Sequence, residues 1–294
     1  MMLLRRVGLL PQNAPLVSSP LQIKPATLAA IDPMPLSRLF AASLAAVLSA
    51  LAQSPSPGAP NITGAHIHLN SADPDVAIAF WTDVIGTSSS GIGSFSGVGT
   101  LGVRILFTRK TPSGPSAGSA IDHLALKVPD LQPVVERLSK TPYKSFRPQT
   151  STDRLMIDGP DGVRIELIED NSLYTPLEFN HIHLSSKQPK DLQAWYATNL
   201  GARAGSGDNA DSILIPGANL TVSQANSAVP SVDRAIDHIS FEVNDLENFA
   251  KKLVESGVKL DSAPHAAPEL GASVALLSDP SGTRIELMEK SSHR

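Results

Sequence analysis

Six of the eight histidines in this 294-residue chain occupy repeated settings, and the chain has no cysteine. His66-Ile67-His68-Leu69 returns as His181-Ile182-His183-Leu184, and Asp122-His123 returns as Asp237-His238, both at an offset of 115. Two glutamates recur in the same way: Arg164-Ile165-Glu166-Leu167 and Arg284-Ile285-Glu286-Leu287 lie 120 apart. Imidazole nitrogens and carboxylate oxygens ligate divalent metals and move protons. The lack of cysteine removes thiolate ligands, thiol nucleophiles, disulfides and a lipid-anchored N-terminus from consideration.

These residues sit in segments that read as strands, where successive side chains face opposite ways. If Ile67 and Leu69 pack inward, then His66, His68 and Asn70 share the other face. In the same way Leu124, Leu126 and Val128 oppose His123, Ala125 and Lys127, and Val163, Ile165 and Leu167 oppose Arg164, Glu166 and Ile168. The second half repeats the pattern with His181, His183 and Ser185, then His238, Ser240 and Glu242, then Arg284, Glu286 and Met288. A sheet that buries its apolar face under helices and gathers His and Glu on the other is a cup lined with ligands.

The elements that must position these groups follow from the repeat. Strand-like His66–Asn70 precedes a helical run from Asp75 to Ile85, and Leu124–Val128 precedes one from Leu131 to Ser139. Asp73 and Asp130 each lie seven residues after the first histidine, placed to cap the helix that follows. Short strands come next, such as Val103–Thr108 and Val163–Ile168. The unit is β-α-β-β-β, present four times, at 62–115, 119–172, 177–226 and 233–291. The fold class is therefore α+β: four such modules paired into two curled mixed β-sheets, with domains 62–172 and 177–291. Five extra residues in the second half fall near Pro264–Leu270. Thr111–Ser119 reads as a linker, and the Ser/Gly-rich Thr87–Gly99 as a flexible edge over the cup. Its Gly91-Ile92-Gly93 is no phosphate loop, because no strand-to-helix turn surrounds it.

At this point the chain resembles the vicinal oxygen chelate superfamily of glyoxalases, bleomycin-resistance proteins and extradiol dioxygenases. The resemblance covers about residues 62–291. It is carried by Asp122-His123-x-x-x-x-Val128-x-Asp130-Leu131 and by Asp279-Pro280-Ser281-Gly282-Thr283-Arg284-Ile285-Glu286-Leu287. It implies a divalent metal, Fe, Mn or Zn, held inside the curled sheet by two histidines and one glutamate. Open positions on that metal let a small oxygenated substrate chelate it through two oxygens. By position the ligands are His66, His123 and Glu166 in the first half, and His181, His238 and Glu286 in the second. That grouping assumes that adjacent modules pair. Pairing the first module with the fourth would group His66, His238 and Glu286, and then His181, His123 and Glu166. Both arrangements complete two triads, and the sequence leaves both open.

The resemblance implies isomerase or lyase chemistry of glyoxalase type, with an Fe(II) extradiol-type dioxygenase or a non-enzymatic binding protein of bleomycin-resistance type as alternatives. Glyoxalase I takes a fourth ligand at the positions of Leu106 and about Thr221, where neither residue ligates readily. The tyrosine of extradiol dioxygenases is replaced by Leu276; His265 upstream either serves in its stead or is simply solvent-exposed on a Pro/Ala-rich loop. His68 and His183 share the ligand face, where they either orient a metal-bound oxygen, act as general base, or hydrogen-bond a neighbouring strand. Arg164 and Arg284 either hold an anionic substrate or pair with a carboxylate.

A net charge of −4 and 4% aromatic residues exclude a general basic footprint and base-stacking platforms, so no nucleic-acid partner is expected. Residues 1–60 read as a targeting segment and linker. Met34-Pro35-Leu36-Ser37-Arg38 precedes an apolar stretch, Leu39–Leu51, that ends in Ala50-Leu51-Ala52. This is the pattern of a signal peptide, 34–52, cleaved after Ala52, with Met34 as the true start. At well under about 20 apolar residues it is too short for a spanning anchor. The expected product is a periplasmic or secreted protein acting on a small molecule, with up to two sites per chain and a homodimer as one assembly.

Overall fold

The computed structural model describes residues 62–149, 151–207 and 210–291, which belong to one compact unit. The signal-like segment 34–52, its flanking residues 1–33 and the cleavage site lie outside the described residues. Among the described residues no helix is long and apolar enough to cross a membrane.

All four modules follow one plan. The first comprises β1 (Ile62–Ser71), α1 (Pro74–Phe80, continued by a π-helical turn Trp81–Ile85), β2 (Ser88–Ile92), β3 (Phe95–Thr100) and β4 (Val103–Arg109). The second has β5 (Ile121–Val128), α2 (Gln132–Leu138), β6 (Lys144–Phe146), β7 (Arg154–Asp158) and β8 (Arg164–Glu169). In the third these are β9 (Glu178–Ser186), α3 (Pro189–Leu200), β10 (Arg203–Ala204), β11 (Ser212–Ile215) and β12 (Ala218–Gln224). The fourth has β13 (Ile236–Val243), α4 (Leu246–Glu255), β14 (Leu260–Ala267), β15 (Ala272–Ser278) and β16 (Arg284–Lys290). The five extra residues of the second half lengthen β14, which pairs with β15 from Leu260 to Ala267.

Local chemistry sets the helix ends. Asp73 Oδ1 accepts from the Asp75 amide at 3.2 Å, Asp130 Oδ1 from the Gln132 amide at 2.8 Å, and Asp245 Oδ1 from the Asn248 amide at 3.4 Å. Each satisfies an amide that a helix start leaves without a partner. Gly86 and Gly201 close the first and third helices with φ of 100° and 65°, a conformation that a side chain disfavours.

The strand order decides which modules share a sheet. One eight-stranded sheet runs β14-β15-β16-β13-β1-β4-β3-β2, and the other runs β10-β11-β12-β9-β5-β8-β7-β6. The first module thus joins the fourth and the second joins the third, so each sheet draws one module from each repeat. Grouping the site residues by adjacent modules is corrected accordingly. The joins are antiparallel, β1 with β13 and β5 with β9, while the first and last strands of each module pair in parallel.

The faces turn as the alternation requires. Ile67, Leu69, Leu124, Leu126, Ile165, Ile239 and Leu287 are buried in one core with Trp81, Tyr196 and the helices. A second, smaller apolar cluster forms inside the concavity of the first sheet. Leu106, Val274, Met288 and Leu270 meet there, with Ile92 and Phe95 packed against them. The Ser/Gly-rich segment, expected as a flexible edge, is the paired hairpin β2–β3, and its tip is bonded across the mouth of the cup. The Ser94 amide donates to Glu269 O at 2.8 Å, linking the hairpin to the β14–β15 turn.

That closure depends on Gly93, which has φ of 58° and an α-carbon so near the turn that an added Cβ would lie 2.0 Å from Glu269 O. Gly93→Ala should destabilise by about 2–4 kcal/mol, combining backbone strain with a steric clash. Gly257→Ala is the control, since Gly257 has φ of 89° but open space around it. It should lose only about 1–2 kcal/mol, the cost of a left-handed backbone. Urea unfolding of both variants checks this, and equal losses would mean that the hairpin contact contributes nothing.

Candidate functional site

Ladder register places the ligating groups in rows across each sheet. In the first, Arg284, His238, His68 and Leu106 form one row, and Glu286, Ser240 and His66 form the next. In the second, His123, His183 and Thr221 form one row, and Glu166, Ala125 and His181 the next. Leu106 and Thr221 occupy equivalent places beside the second histidine of each His-x-His pair. The middle residue between glutamate and histidine is small in both cups, Ser240 or Ala125. Their short side chains leave room for the carboxylate and the imidazole to approach each other.

In the first cup His66 Nε2 lies 3.9 Å from Glu286 Oε1, and His238 Nε2 lies 3.9 Å from Glu286 Oε2. His68 joins them, with its Nε2 3.0 Å from that of His66 and its ring stacked on His238 at 4.3 Å. The donor atoms of His66, His68 and Glu286 all fall within 4.8 Å of one another. Ser240 Oγ donates to Glu286 Oε1 at 2.8 Å and fixes the carboxylate. In the second cup Glu166 Oε2 lies 3.6 Å from His123 Nε2 and 3.8 Å from His181 Nε2. His183 stacks on His123 at 4.3 Å, but its Nε2 is hydrogen-bonded to Ser223 Oγ at 2.9 Å. Arg154 Nη1 donates to Glu166 Oε1 at 2.7 Å.

The register also shows how the rings are aimed. Between His68↔His238 and Leu69↔Ile236, one step on β1 faces two on β13, so Asp237 is the extra residue of a β-bulge. Asp122 is the extra residue of the equivalent bulge on β5. The bulge brings each aspartate beside the ring that follows it. His238 Nδ1 donates to Asp237 Oδ1 at 2.7 Å, and His123 Nδ1 to Asp122 Oδ1 at 2.8 Å. Asn180 Oδ1 takes the same role for His181 at 2.6 Å. A ring that donates through Nδ1 turns Nε2 toward the cup, as metal-binding histidines do. Asp237 is itself held by Asn70, the Asp233 amide and Arg284.

Burial sets the protonation states. It is the main cause that lowers His66 and His181 to about 3 and His183 to about 4, helped by the neighbouring imidazoles. Burial also takes His68 well below its usual range. His123 goes the other way, because bonds to Asp122 and Glu166 outweigh its burial and raise it. Burial alone would raise Glu166, yet bonds from His123 and Arg154 bring its carboxyl down to about 2. His66, His68, His181 and His183 are thus neutral, and the second cup sets an ionised Glu166 beside the last two, the state in which such groups bind a cation. His181 Nε2, His238 Nε2 and Glu166 Oε2 are buried without a hydrogen-bond partner. Each such atom costs about 1–3 kcal/mol, and a divalent ion coordinated there would satisfy it. The residues fit the metal.

Every expected ligand therefore lies in a cup, in the first-with-fourth grouping. Arg164 and Arg284 resolve as structural pairs, with Asp158 at 2.9 Å and Asp237 at 3.2 Å. His265 is exposed on β14, bonded to Ala263 O and Ser262. Leu276 pairs across the ladder with Glu286. The sequence reading placed Ser240 on the ligand face without giving it a role, and did not find the orienting aspartates or Arg154. The repeated Asp-His dipeptide was the visible signal for the aspartates; Arg154 had none, because its counterpart in the other half is Val274. Beside the first cup opens a cleft of about 390 Å³, whose walls include His66, Ile92, Thr100, Arg104, Glu242 and Lys290.

Comparison with known proteins gives the family. The model of the Glyoxalase/Bleomycin resistance protein/Dioxygenase superfamily matches residues 64–167 and again 178–287. Glyoxalase I from Zea mays is similar in fold, with 15% identity over 79% of this chain and 92% of its own, at a TM-score of 0.58. A variant of that enzyme aligns at 17% identity, 79% and 92% coverage and a TM-score of 0.58. A candidate dioxygenase from Bacillus subtilis aligns at 15% identity, 79% and 86% coverage and a TM-score of 0.56. No curated protein sequence matches. With both halves of the chain matched by its model, this protein belongs to the glyoxalase/bleomycin resistance protein/dioxygenase superfamily.

Proposed function

We propose that this chain is a metal-dependent enzyme that binds a small oxygenated substrate through two oxygens, with chemistry of the isomerase or lyase type. The reading rests on one observation: in each cup two imidazole Nε2 atoms and a glutamate oxygen converge within 3.9 Å of the carboxylate, buried and in part unpartnered. In the first cup the holders are His66, His238 and Glu286; in the second they are His123, His181 and Glu166. A bound divalent ion supplies Lewis acidity there and stabilises an oxyanion. The protein's own groups do the rest. Asp237 and Asp122 hold the ring tautomers, Ser240 holds the Glu286 carboxylate, and the apolar Leu106, Val274 and Met288 exclude water. His68 is the general base of the first cup, its Nε2 kept inside the cup by contact with His66.

The same apolar lining favours one second reading, a binding protein that sequesters an apolar metabolite. Metal content separates the two. The chain is also proposed to work outside the cytoplasm, on the strength of the signal-like segment 34–52. N-terminal sequencing of exported protein tests that, with Gln53 as the expected first residue.

Elemental analysis of protein purified without chelators or affinity-tag metal should find near-stoichiometric Fe, Mn or Zn. Glu286→Ala should lower that content while leaving the circular dichroism spectrum unchanged. Chelation of the wild type should remove about 3 kcal/mol of stability at free metal near 100 times Kd. A metal-free wild type that takes up none on reconstitution would leave the binding-protein reading instead.

The lowered imidazoles also set a pH dependence for the metal-free protein. A group whose folded pKa lies below its unfolded value contributes stability above the unfolded pKa, which is lost as pH falls through the folded pKa. For His66, His68, His181 and His183 that loss starts near 6.5, while carboxylates such as Glu166 begin to titrate only near 4.5. The raised His123 opposes one of the four. Stability should therefore fall between pH 6.5 and 4.5, and His181→Asn/His183→Asn should flatten the slope. Melting temperature against pH reads this directly, and an unaltered slope in the double variant would refute the assignment.

A further inference from the structure

The two cups arose from one repeat, yet each carries its arginine on a different flank. Arg104 on β4 lies two residues before Leu106 on the same face of the first sheet, where the second cup has Asn219. Arg104 is exposed and makes no ion pair among the described residues. Arg154 on β7 lies where the first cup has Val274, and it is bound to the glutamate. Glu286 meets no arginine or lysine within ion-pair distance among the described residues. Its partners are the neutral Ser240 hydroxyl and the two imidazoles.

On this basis we propose that the cups hold different cations: a divalent metal in the first, and the Arg154 guanidinium in the second, so that the chain binds one metal tightly and a second only weakly. The inference rests on the metal reading of the cups and goes beyond it by making them unequal. The reason is electrostatic. The guanidinium sits on Glu166 Oε1 at 2.7 Å while Oε2 faces His123 and His181; it already offsets the charge of the carboxylate and stays as a positive neighbour that repels a divalent ion. Arg154 is 42% exposed, so it can swing into solvent, and the second cup is weakened toward metal rather than closed to it.

The test is titration of the metal-free full-length chain with Co(II), followed by calorimetry and by the visible ligand-field bands of the bound ion. Wild type should take up one tight equivalent, then a second with weaker affinity. Glu286→Ala should abolish the tight equivalent, and Glu166→Ala should leave it. Arg154→Val, which installs the residue of the first cup, should strengthen the second equivalent by roughly 10- to 100-fold, the range seen when groups beside metal ligands change. Arg154→Lys, which keeps the charge, should leave that equivalent weak. Circular dichroism controls for folding in each variant. Two equivalents of equal affinity in wild type would overturn the inference while leaving the metal reading intact, as would an unchanged second equivalent in Arg154→Val. Co(II) uptake by neither wild type nor Arg154→Val would overturn the metal reading itself.

Discussion

Antiparallel pairing between modules, β1 on β13 and β5 on β9, is the contact from which each cup is built. Within a module the first and last strands run in parallel, so one module can offer a histidine and a glutamate on neighbouring strands. It cannot offer the second histidine, which must come from another module's first strand. The join sets His68 opposite His238 and His183 opposite His123, each pair of rings stacked at 4.3 Å. A slip of one residue at either join would send every imidazole to the helix-covered face. The bulges at Asp237 and Asp122 pin the register and also supply the carboxylates that aim the rings. Folding and ligand placement are thus one constraint.

The electrostatic state of the cups follows from that packing. Three imidazoles crowd each hollow, on a sheet whose other face packs in the apolar core. Protonating His66, His68, His181 or His183 there would place like charges side by side in a poorly solvated space, so these four stay neutral at ordinary pH. Glu166 stays ionised because Arg154 and His123 hold its carboxylate, and in the first cup Ser240 fixes the carboxylate of Glu286. Neutral nitrogen donors around one anionic oxygen donor form a set that gains from a cation.

Much of this is legible in the sequence because it depends on period and repetition. Alternation along a strand assigns His66, His68, His123, His181, His183, His238, Glu166 and Glu286 to one face without reference to tertiary structure. The offset of 115 shows that the settings are copies. What alternation cannot supply is which strands become neighbours across modules. Both pairings bury the same apolar faces and complete the same number of triads, so the choice lies in long-range contacts. The bulges were hidden for a related reason. Strict alternation puts Asp122 and Asp237 on the face opposite the histidines, and only an extra residue in the ladder brings each next to its ring. The signal-like segment, read from composition alone, lies outside the described residues.

Duplication explains both the sameness of the cups and the route by which they differ. Residues that shape the backbone are retained in both copies: the Asp-His bulge, the helix-closing glycines Gly86 and Gly201, and the small residue between histidine and glutamate. The changes fall on side chains that project from the same rows without supporting them. Serine stands for alanine at 240 and 125, arginine for asparagine at 104 and 219, and valine for arginine at 274 and 154. None of these exchanges alters a strand, a turn or the packed face. Each alters the charge or hydrogen bonding seen by a ligand within reach of the glutamate. In the first cup they leave the carboxylate to a hydroxyl and surround it with Leu106, Val274 and Met288. In the second they set a guanidinium on it. A fold that separates its packing face from its ligand face can vary the second without endangering the first, and these three exchanges fall on the ligand face.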